Sequence, residues 1–231
     1  VVVATVSRGL YQARYRPLHV VWDLDNTILC SFSPLEYGIA QGGSRHPRDF
    51  FDQIDDDFPF EPNMMTPNTR TFWRPGARTV LRILSRFCQL HVYTAAQGTY
   101  AKNIMDELDH PNSKLFVTVI HRDLVPHYDH DSQAARTQGK DLTVLFANND
   151  DDALLTLPAP RIVLLDDKVT NFIPQPANGL HVKPYKRASS RLLDWEMARL
   201  FSILCLVHLA PDVRPVLRWF RSKEYSDKFP T

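Results

Sequence analysis

One short stretch constrains this chain more than any other: an apolar run that ends in two aspartates. Residues Leu18–Trp22 are mostly apolar and β-prone, which is typical of a buried strand. Asp23 and Asp25 follow, and in extended backbone two side chains at this spacing point to the same side. Two carboxylates so close repel each other unless a cation compensates, and Mg²⁺ prefers oxygen ligands. The spacing therefore indicates a metal site, although an ordinary Asp-rich turn fits it equally well.

The same two side chains could perform group transfer. A carboxylate with the usual pKa of about 3.9 is ionised at neutral pH and can attack as a nucleophile without a separate base. A second carboxyl group can protonate a leaving oxygen and later deprotonate a water. Metal ligand, nucleophile and acid–base group could thus all come from one strand end.

Composition bounds the class of protein. The 231 residues, 44% hydrophobic and 23% charged, suit one α/β domain with insertions, over residues 1–231. The formal net charge of +1 and the absence of an arginine stripe with interleaved aromatics argue against nucleic-acid binding. No stretch is apolar for long enough to span a bilayer. Since the first residue is Val, we expect the chain to be a fragment of a longer protein.

Helices alternate with short apolar strands along the chain, which predicts a parallel sheet with crossover helices. The pattern predicts strands at 69–73, 90–93, 115–120, 162–165 and 180–182, and helices from 77 onward and at 98–108, 192–209 and 213–220. The carboxyl ends of parallel strands share one edge, where ligands bind. Asp23, Thr94 and Asp166 follow three of these strands. The shared placement favours a metal site over an ordinary turn.

Two segments fit this pattern poorly and are predicted to be insertions. Residues 30–71 follow the first strand and are expected to form a cap or flap, with a possible short strand at 58–60. Residues 121–139 form a loop rich in His and Asp. This loop and the Asp55–Asp57 run could bind metal, but solvated loops fit their spacing better.

Four motifs in order resemble the haloacid-dehalogenase (HAD) superfamily, and within it the NIF-like phosphatases of the RNA polymerase II C-terminal domain. The four motifs are Asp23–Leu29, Val92–Ala96, Lys140–Leu142 and Leu164–Lys168, and the segments Arg74–Gly76 and Asn171–Leu180 also follow the family's pattern. The resemblance implies a Rossmann-like HAD fold, with a parallel sheet flanked by helices, and phosphoryl transfer through an aspartyl-phosphate. A nuclear location and partners in the transcription machinery are also implied only by this resemblance.

The family's functional residues carry over by position. Asp23 is implied as nucleophile and Asp25 as general acid/base, with Thr94 and Lys140 on the phosphoryl oxygens. Mg²⁺ is implied to bind the Asp23 carboxylate, the Asp25 backbone carbonyl and Asp167. Asp166 is implied either to bind the metal through water or to position Lys140. The implied substrate-binding residues are Thr27, Tyr100 and Arg122, although Thr27 could instead stabilise the turn, Tyr100 could be core, and Arg122 could brace the insertion.

The chain departs from the family at Asn26, where Glu is common, at Gln138, where an aromatic is common, and at Trp22. These departures leave the chemistry intact and leave the substrate open. The leading hypothesis is a Mg²⁺-dependent serine/threonine phosphoprotein phosphatase. The alternatives are a phosphatase of another phosphoprotein or of a small phosphorylated metabolite, and a catalytically weak binding subunit such as a protein-import receptor.

Overall fold

The computed structural model describes residues 17–32, 64–66, 69–109, 114–125, 139–145, 160–186 and 194–230. The strands are β1 (Leu18–Trp22), β2 (Leu29–Phe32), β3 (Met64–Thr66), β4 (Thr69–Trp73), β5 (Cys88–Tyr93), β6 (Phe116–Ile120), β7 (Ile162–Asp166) and β8 (Gly179–His181). The helices are α1 (Ala77–Leu84), α2 (Gly98–Leu108), α3 (Glu196–Leu209), α4 (Val213–Leu217) and α5 (Lys223–Lys228). Short 3₁₀ turns lie at Arg122–Leu124, Leu142–Leu145, Val169–Phe172, Pro176–Asn178 and Arg218–Phe220.

Five strands form the central sheet, in the order β6-β5-β1-β7-β8, and all neighbours are parallel. Strand β1 lies in the middle because it is apolar on both faces, as expected for a parallel sheet covered on both sides. Trp22 pairs with Val92 on β5 and with Leu165 on β7, so the three strands end at the same level. The predicted parallel α/β architecture is confirmed.

Alternate residues of β1 supply two cores. Val20 and Trp22 face a large cluster that includes residues of α1 to α4. Val21 faces the other side, where it packs in a smaller cluster with Phe172 and with Tyr225 of α5. The sheet is thus covered on both faces, and the polar residues after its strands are left at one edge.

A second, three-stranded antiparallel sheet follows the first strand, in the order β2-β4-β3. The prediction of a strand at 69–73 is confirmed by β4, whereas β2 was not predicted. Leu29–Phe32 shows little periodicity and pairs with residues about forty positions away, with Cys30 opposite Phe72. The first part of the predicted 30–71 insertion therefore belongs to this sheet. The runs at 55–57 and 58–60 lie outside the described residues, as do residues 126–138 of the second insertion.

The remaining element boundaries agree with the sequence to within a few residues. Helix α2 has the predicted bounds, β5 begins two residues before the predicted start, and β7 includes Asp166. The predicted helix at 213–220 divides into α4 and a 3₁₀ turn, and α5 was missed. Among the described residues, no helix combines the length and apolar character that crossing a membrane requires. The assignment of 1–231 to one domain stays a prediction.

Candidate active site

The turn after β1 places the two aspartates. The Asp23 backbone N–H donates to the Leu165 carbonyl at 2.9 Å, so the residue still follows the edge of the sheet. Asn26 then adopts a positive φ of 61°, and its N–H donates to the Leu29 carbonyl at 2.7 Å. Asn is among the residues that tolerate this left-handed conformation best. The departure from the family's Glu thus falls where the backbone reverses toward β2.

Lys140 is buried against the Asp23 carboxylate. Its Nζ lies 2.5 Å from Asp23 Oδ1 and 2.7 Å from Asp166 Oδ2, and the residue is only 1% exposed. Gly139 precedes it with φ of 71°, and a Cβ there would come within 2.8 Å of the Thr170 carbonyl. The Lys140 N–H donates to the Asn171 carbonyl at 2.9 Å. Close backbone packing therefore fixes the lysine at the strand ends.

Three carboxylates meet at this point. Oxygens of Asp23, Asp166 and Asp167 all lie within 4.8 Å of one another, and all three residues are buried. The positively charged ammonium of Lys140 lies among these three negatively charged groups. This donor set, all hard oxygen atoms with excess negative charge, fits a divalent cation such as Mg²⁺. The predicted ligands Asp23, Asp166 and Asp167 are thus brought together.

Burial changes the protonation of these carboxyl groups. It raises the pKa of Asp23 to about 8, although the neighbouring Lys140 ammonium opposes the shift. Burial also raises the pKa of Asp167, and the Asp166 charge adds to the effect. Burial thus disfavours the ionised Asp23 that the sequence led us to expect, because a buried carboxylate lacks the hydration of an exposed one. A bound cation would favour the ionised form.

The Asp166 side chain is held by three donors. Lys140 and the Asn171 side-chain amide, at 2.8 Å, donate to Oδ2, while the Lys168 N–H donates to Oδ1 at 2.8 Å. The residue is completely buried. These contacts favour the role of positioning Lys140 among the two that the sequence left open.

The Asp25 carboxylate points to a different partner from that of Asp23. Oδ1 accepts a hydrogen bond of 2.7 Å from the Tyr100 hydroxyl of α2. That hydroxyl also lies 2.6 Å from the Ser31 hydroxyl of β2. The Asp25 side chain is not among the three clustered carboxylates, as expected if only its backbone carbonyl serves a metal. Both the carbonyl ligand and the acid–base role stay predictions.

Thr94 and Arg122 lie beside each other at the ends of β5 and β6. The Thr94 hydroxyl accepts from the Ala96 N–H at 3.1 Å, and the threonine is 2% exposed. The Arg122 Nε donates to the Ala95 carbonyl at 2.9 Å, and the Arg122 backbone N–H donates to the Ala96 carbonyl at 3.0 Å. The guanidinium is thereby fixed at the wall of the cavity.

A cavity of about 650 Å³ opens over these residues. Its volume is that of a typical small-ligand site. The lining residues are Asp23, Asp25, Asn26, Ser31, Phe32, Thr69, Thr94, Ala95, Ala96, Gln97, Tyr100, Arg122, Lys168 and Asn171. The wall thus combines the strand ends of the central sheet with β2 and β4.

Thr27 occupies a different place from the other predicted substrate residues. It is completely buried, and its hydroxyl donates to Asp23 Oδ2 at 3.3 Å. Direct contact with substrate stays a prediction, and the observed contact is one that orients Asp23.

Several residues at the site had no predicted role. Asn171 and Lys168 follow β7, and their position after a strand end was a usable signal. Ser31 had no such signal, because its place depends on pairing between β2 and β4. Arg74 was identified only as a helix-opening residue. Its guanidinium donates to the Thr27 carbonyl at 2.9 Å and so braces the turn.

Comparison with known proteins adds the family. The sequence model of the NLI interacting factor-like phosphatases matches residues 18–214. No curated protein sequence matches the chain. The structure of Fcp1, an essential RNA polymerase II CTD phosphatase, matches with a TM-score of 0.54 and 20% identity, over 88% of this chain and 65% of that one. A fission yeast Fcp1 variant bound to beryllium fluoride matches with a TM-score of 0.47 and 20% identity, over 96% of this chain and 63% of that one. The chain therefore spans less than two thirds of either structure.

Proposed function

The chain belongs to the NLI interacting factor-like phosphatases, and we propose that it is a Mg²⁺-dependent phosphatase that forms an aspartyl-phosphate on Asp23. One observation carries the proposal: a buried cluster of three carboxylates around Lys140, of which Asp23 lines an open cavity. Such an arrangement can bind a cation and accept a phosphate dianion, whereas carboxylates alone would repel it.

The residues divide the work as follows. Asp23, Asp167 and the Asp25 backbone carbonyl would hold Mg²⁺, which would supply positive charge to offset the negative charge of the phosphoryl group. The Asp23 Oδ attacks phosphorus, and the leaving oxygen takes a proton from the Asp25 carboxyl group. Asp25 then accepts a proton from the water that cleaves the acyl phosphate. The Asp23 carboxylate is regenerated and inorganic phosphate leaves.

Three further side chains stabilise the transferred group. Lys140 Nζ lies 2.5 Å from Asp23 Oδ1. It can donate hydrogen bonds to the phosphoryl oxygens once the phosphoryl group is bonded to Asp23. The Thr94 hydroxyl and the Arg122 guanidinium line the cavity and can bind the remaining oxygens or the adjacent substrate chain. Asp166 holds the lysine in place.

We take the substrate to be a phosphoserine or phosphothreonine protein. Family membership supports a phosphoprotein, and Fcp1, whose fold this chain shares, is an RNA polymerase II CTD phosphatase. Action on the C-terminal domain of the polymerase, contact with the transcription machinery and a nuclear location belong to the same proposal. A substrate of another kind would leave the chemistry at Asp23 unchanged.

Hydrolysis of 4-nitrophenyl phosphate and of a phosphoserine peptide, each with and without Mg²⁺, tests the proposal. Activity that requires Mg²⁺ and falls to background in Asp23→Asn is expected, with the peptide the better substrate by kcat/KM. Asn has nearly the size of Asp, so the variant should fold, and circular dichroism checks this. Activity that survives Asp23→Asn would refute the nucleophile. Wild-type protein that binds the peptide with Mg²⁺ but does not cleave it would favour the binding subunit.

A further inference from the structure

A chain of hydroxyl groups connects the antiparallel sheet to Asp25. Thr71 Oγ1 of β4 lies 2.9 Å from Ser31 Oγ of β2, where the two residues are directly paired across the strands. Ser31 Oγ lies 2.6 Å from the Tyr100 hydroxyl, which is 2.7 Å from Asp25 Oδ1. The chain thus joins β4, β2, α2 and the turn after β1.

The number of protons gives this chain a direction. The Tyr100 hydroxyl donates its single proton to Asp25 Oδ1, an oxygen that accepts whether or not the other carboxyl oxygen is protonated. Ser31 must then donate to the tyrosine oxygen, and Thr71 must donate to Ser31. Each hydroxyl donates its one proton to the next group in the chain. The tyrosine therefore receives a hydrogen bond that strengthens its own donation to Asp25.

Backbone contacts fix the chain around Asp25, and the hydrogen bond from Tyr100 acts on its carboxylate. Asp25 forms an isolated bridge with Leu29, and the next residue, Asn26, is bonded to Leu29 as well. Neither contact sets the rotation of the carboxylate.

We infer that Tyr100, held by Ser31 and Thr71, is a positioning residue that orients the Asp25 carboxyl group for proton transfer to the leaving oxygen. The inference rests on the proposed function, because it concerns the acid–base step of that reaction. It also gives the antiparallel sheet a role, since two of the three hydroxyls belong to its strands.

The role predicts a dependence on the leaving group. An alkyl leaving oxygen, as in phosphoserine, needs a proton, whereas 4-nitrophenolate is a stable anion and leaves without one. The ratio kcat/KM reports the steps up to departure of this group and is independent of the later attack of water. A residue that only stabilises the fold would lower kcat/KM for both substrates alike.

The test compares Tyr100→Phe with wild type on a phosphoserine peptide and on 4-nitrophenyl phosphate. General acid catalysis contributes roughly 10²- to 10⁴-fold, so losing its orientation should lower kcat/KM for the peptide by about 10- to 100-fold. The value for 4-nitrophenyl phosphate should change by less than about threefold. Ser31→Ala should change the same ratio in the same direction by a smaller factor, and Ser31→Thr, which keeps a hydroxyl, should restore it.

Tyr185→Phe is the matched control. Tyr185 is also buried, and its hydroxyl donates to the Trp73 carbonyl at 3.3 Å. In Tyr185→Phe, the ratio of kcat/KM for the peptide to kcat/KM for 4-nitrophenyl phosphate should equal that of wild type. If wild-type protein cleaves both substrates and Tyr100→Phe lowers both equally, the inference is overturned and the proposed function stands. If wild-type protein cleaves neither, the proposed function is overturned and the inference with it.

Discussion

Two buried cations, Arg74 and Lys140, hold the segment after β1, and their surroundings differ in charge. Arg74 is 2% exposed and Lys140 is 1% exposed. Arg74 donates to one carboxylate, that of Asp194 at 2.9 Å, and to the carbonyls of Thr27 and Lys183. Its single charge is therefore balanced by a single charge, and its other donors meet neutral acceptors.

The surroundings of Lys140 leave negative charge in excess. Its ammonium contacts Asp23 and Asp166, and Asp167 lies close to both. Repulsion and desolvation among these groups destabilise the metal-free protein, whereas the Arg74 group contributes to stability. A buried cation whose charge is matched by one carboxylate therefore stabilises the fold. A cluster with more carboxylates than cations can instead bind a positively charged ligand.

Removing the Lys140 ammonium should produce the largest effect. In Lys140→Met we expect kcat/KM for 4-nitrophenyl phosphate to fall roughly a thousandfold, because the transferred phosphoryl group loses charge stabilisation in a buried site. Steady-state kinetics with saturating Mg²⁺ measures this. The control is Lys183→Met, an exposed lysine that should leave the rate unchanged. Activity of Lys140→Met within threefold of wild type would contradict a role in catalysis.

Removing the Arg74 guanidinium should mainly affect folding. Arg74→Met leaves the Asp194 carboxylate buried without its cation, which typically costs about 3 kcal/mol of the free energy of unfolding. Urea denaturation followed by circular dichroism measures the change. In the control Arg78→Met, the lost ion pair with Glu107 is largely exposed, so the cost should stay under about 1 kcal/mol. Equal losses of the free energy of unfolding in Arg74→Met and Arg78→Met would contradict the greater contribution of the buried ion pair.

Neutralising one carboxylate should change the free energy of unfolding in opposite directions in the Lys140 cluster and in the Arg74 cluster. Asp167→Asn should stabilise the metal-free protein, because burial and the Asp166 charge raise the pKa of Asp167 in the fold and disfavour its ionised form. The same substitution should abolish stabilisation by Mg²⁺, which at a hundred times its Kd is worth about 2.7 kcal/mol.

Asp194→Asn is the matched variant for the other cluster. It should destabilise the protein by about 2 kcal/mol, since the Arg74 charge then lacks its counterion. Thermal unfolding of both variants, with and without Mg²⁺, gives the two signs. Destabilisation of the metal-free protein by Asp167→Asn would contradict the excess negative charge assigned to that cluster.

A third group, the pair of half-buried His19 and buried His91, extends the comparison to residues held neutral. His19 Nδ1 lies 3.1 Å from His91 Nε2, and burial lowers the pKa of each ring to about 4. Because both folded-state values lie below the unfolded value of about 6.5, their contribution to stability is present above pH 6.5 and is lost as the pH falls toward 4. The loss between pH 7 and pH 5.5 should be about 1 to 2 kcal/mol.

His91→Gln measures this contribution against wild type. The raised carboxyl pKa values of the active site act with the opposite sign, so the difference between the two proteins isolates the histidines. We expect the variant to lose less stability than wild type between pH 7 and pH 5.5, by denaturant titration at each pH. Parallel pH profiles for the two proteins would show that the pair is not held neutral.

Local patterns in the sequence were sufficient for the central sheet. The helix Gly98–Leu108 and the buried strand before Asp23 follow from periodicity and apolar character within a few residues. Asp23 and Asp166 were expected to lie together because parallel strands end at a common edge, and the family resemblance alone added Lys140, which contacts both.

Contacts between distant segments were beyond such patterns. Strand β2 is defined by its pairing with β4, and Arg74 meets acceptors from residues 27, 183 and 194. The contact of Tyr100 with Asp25 joins residues 75 positions apart. The pKa of Asp23 depends on burial, which composition does not reveal. In each case the fold has to exist before the interaction can be described.

The central claim is that phosphate passes through Asp23, and covalent labelling tests it most directly. Protein mixed with a radiolabelled phosphomonoester and Mg²⁺, then quenched in acid, should carry label that hydroxylamine releases, as an acyl phosphate does. The label should map to the peptide containing Asp23 and should be absent from Asp23→Asn. Turnover by wild-type protein with no label on Asp23, or label retained by Asp23→Asn, would contradict the account.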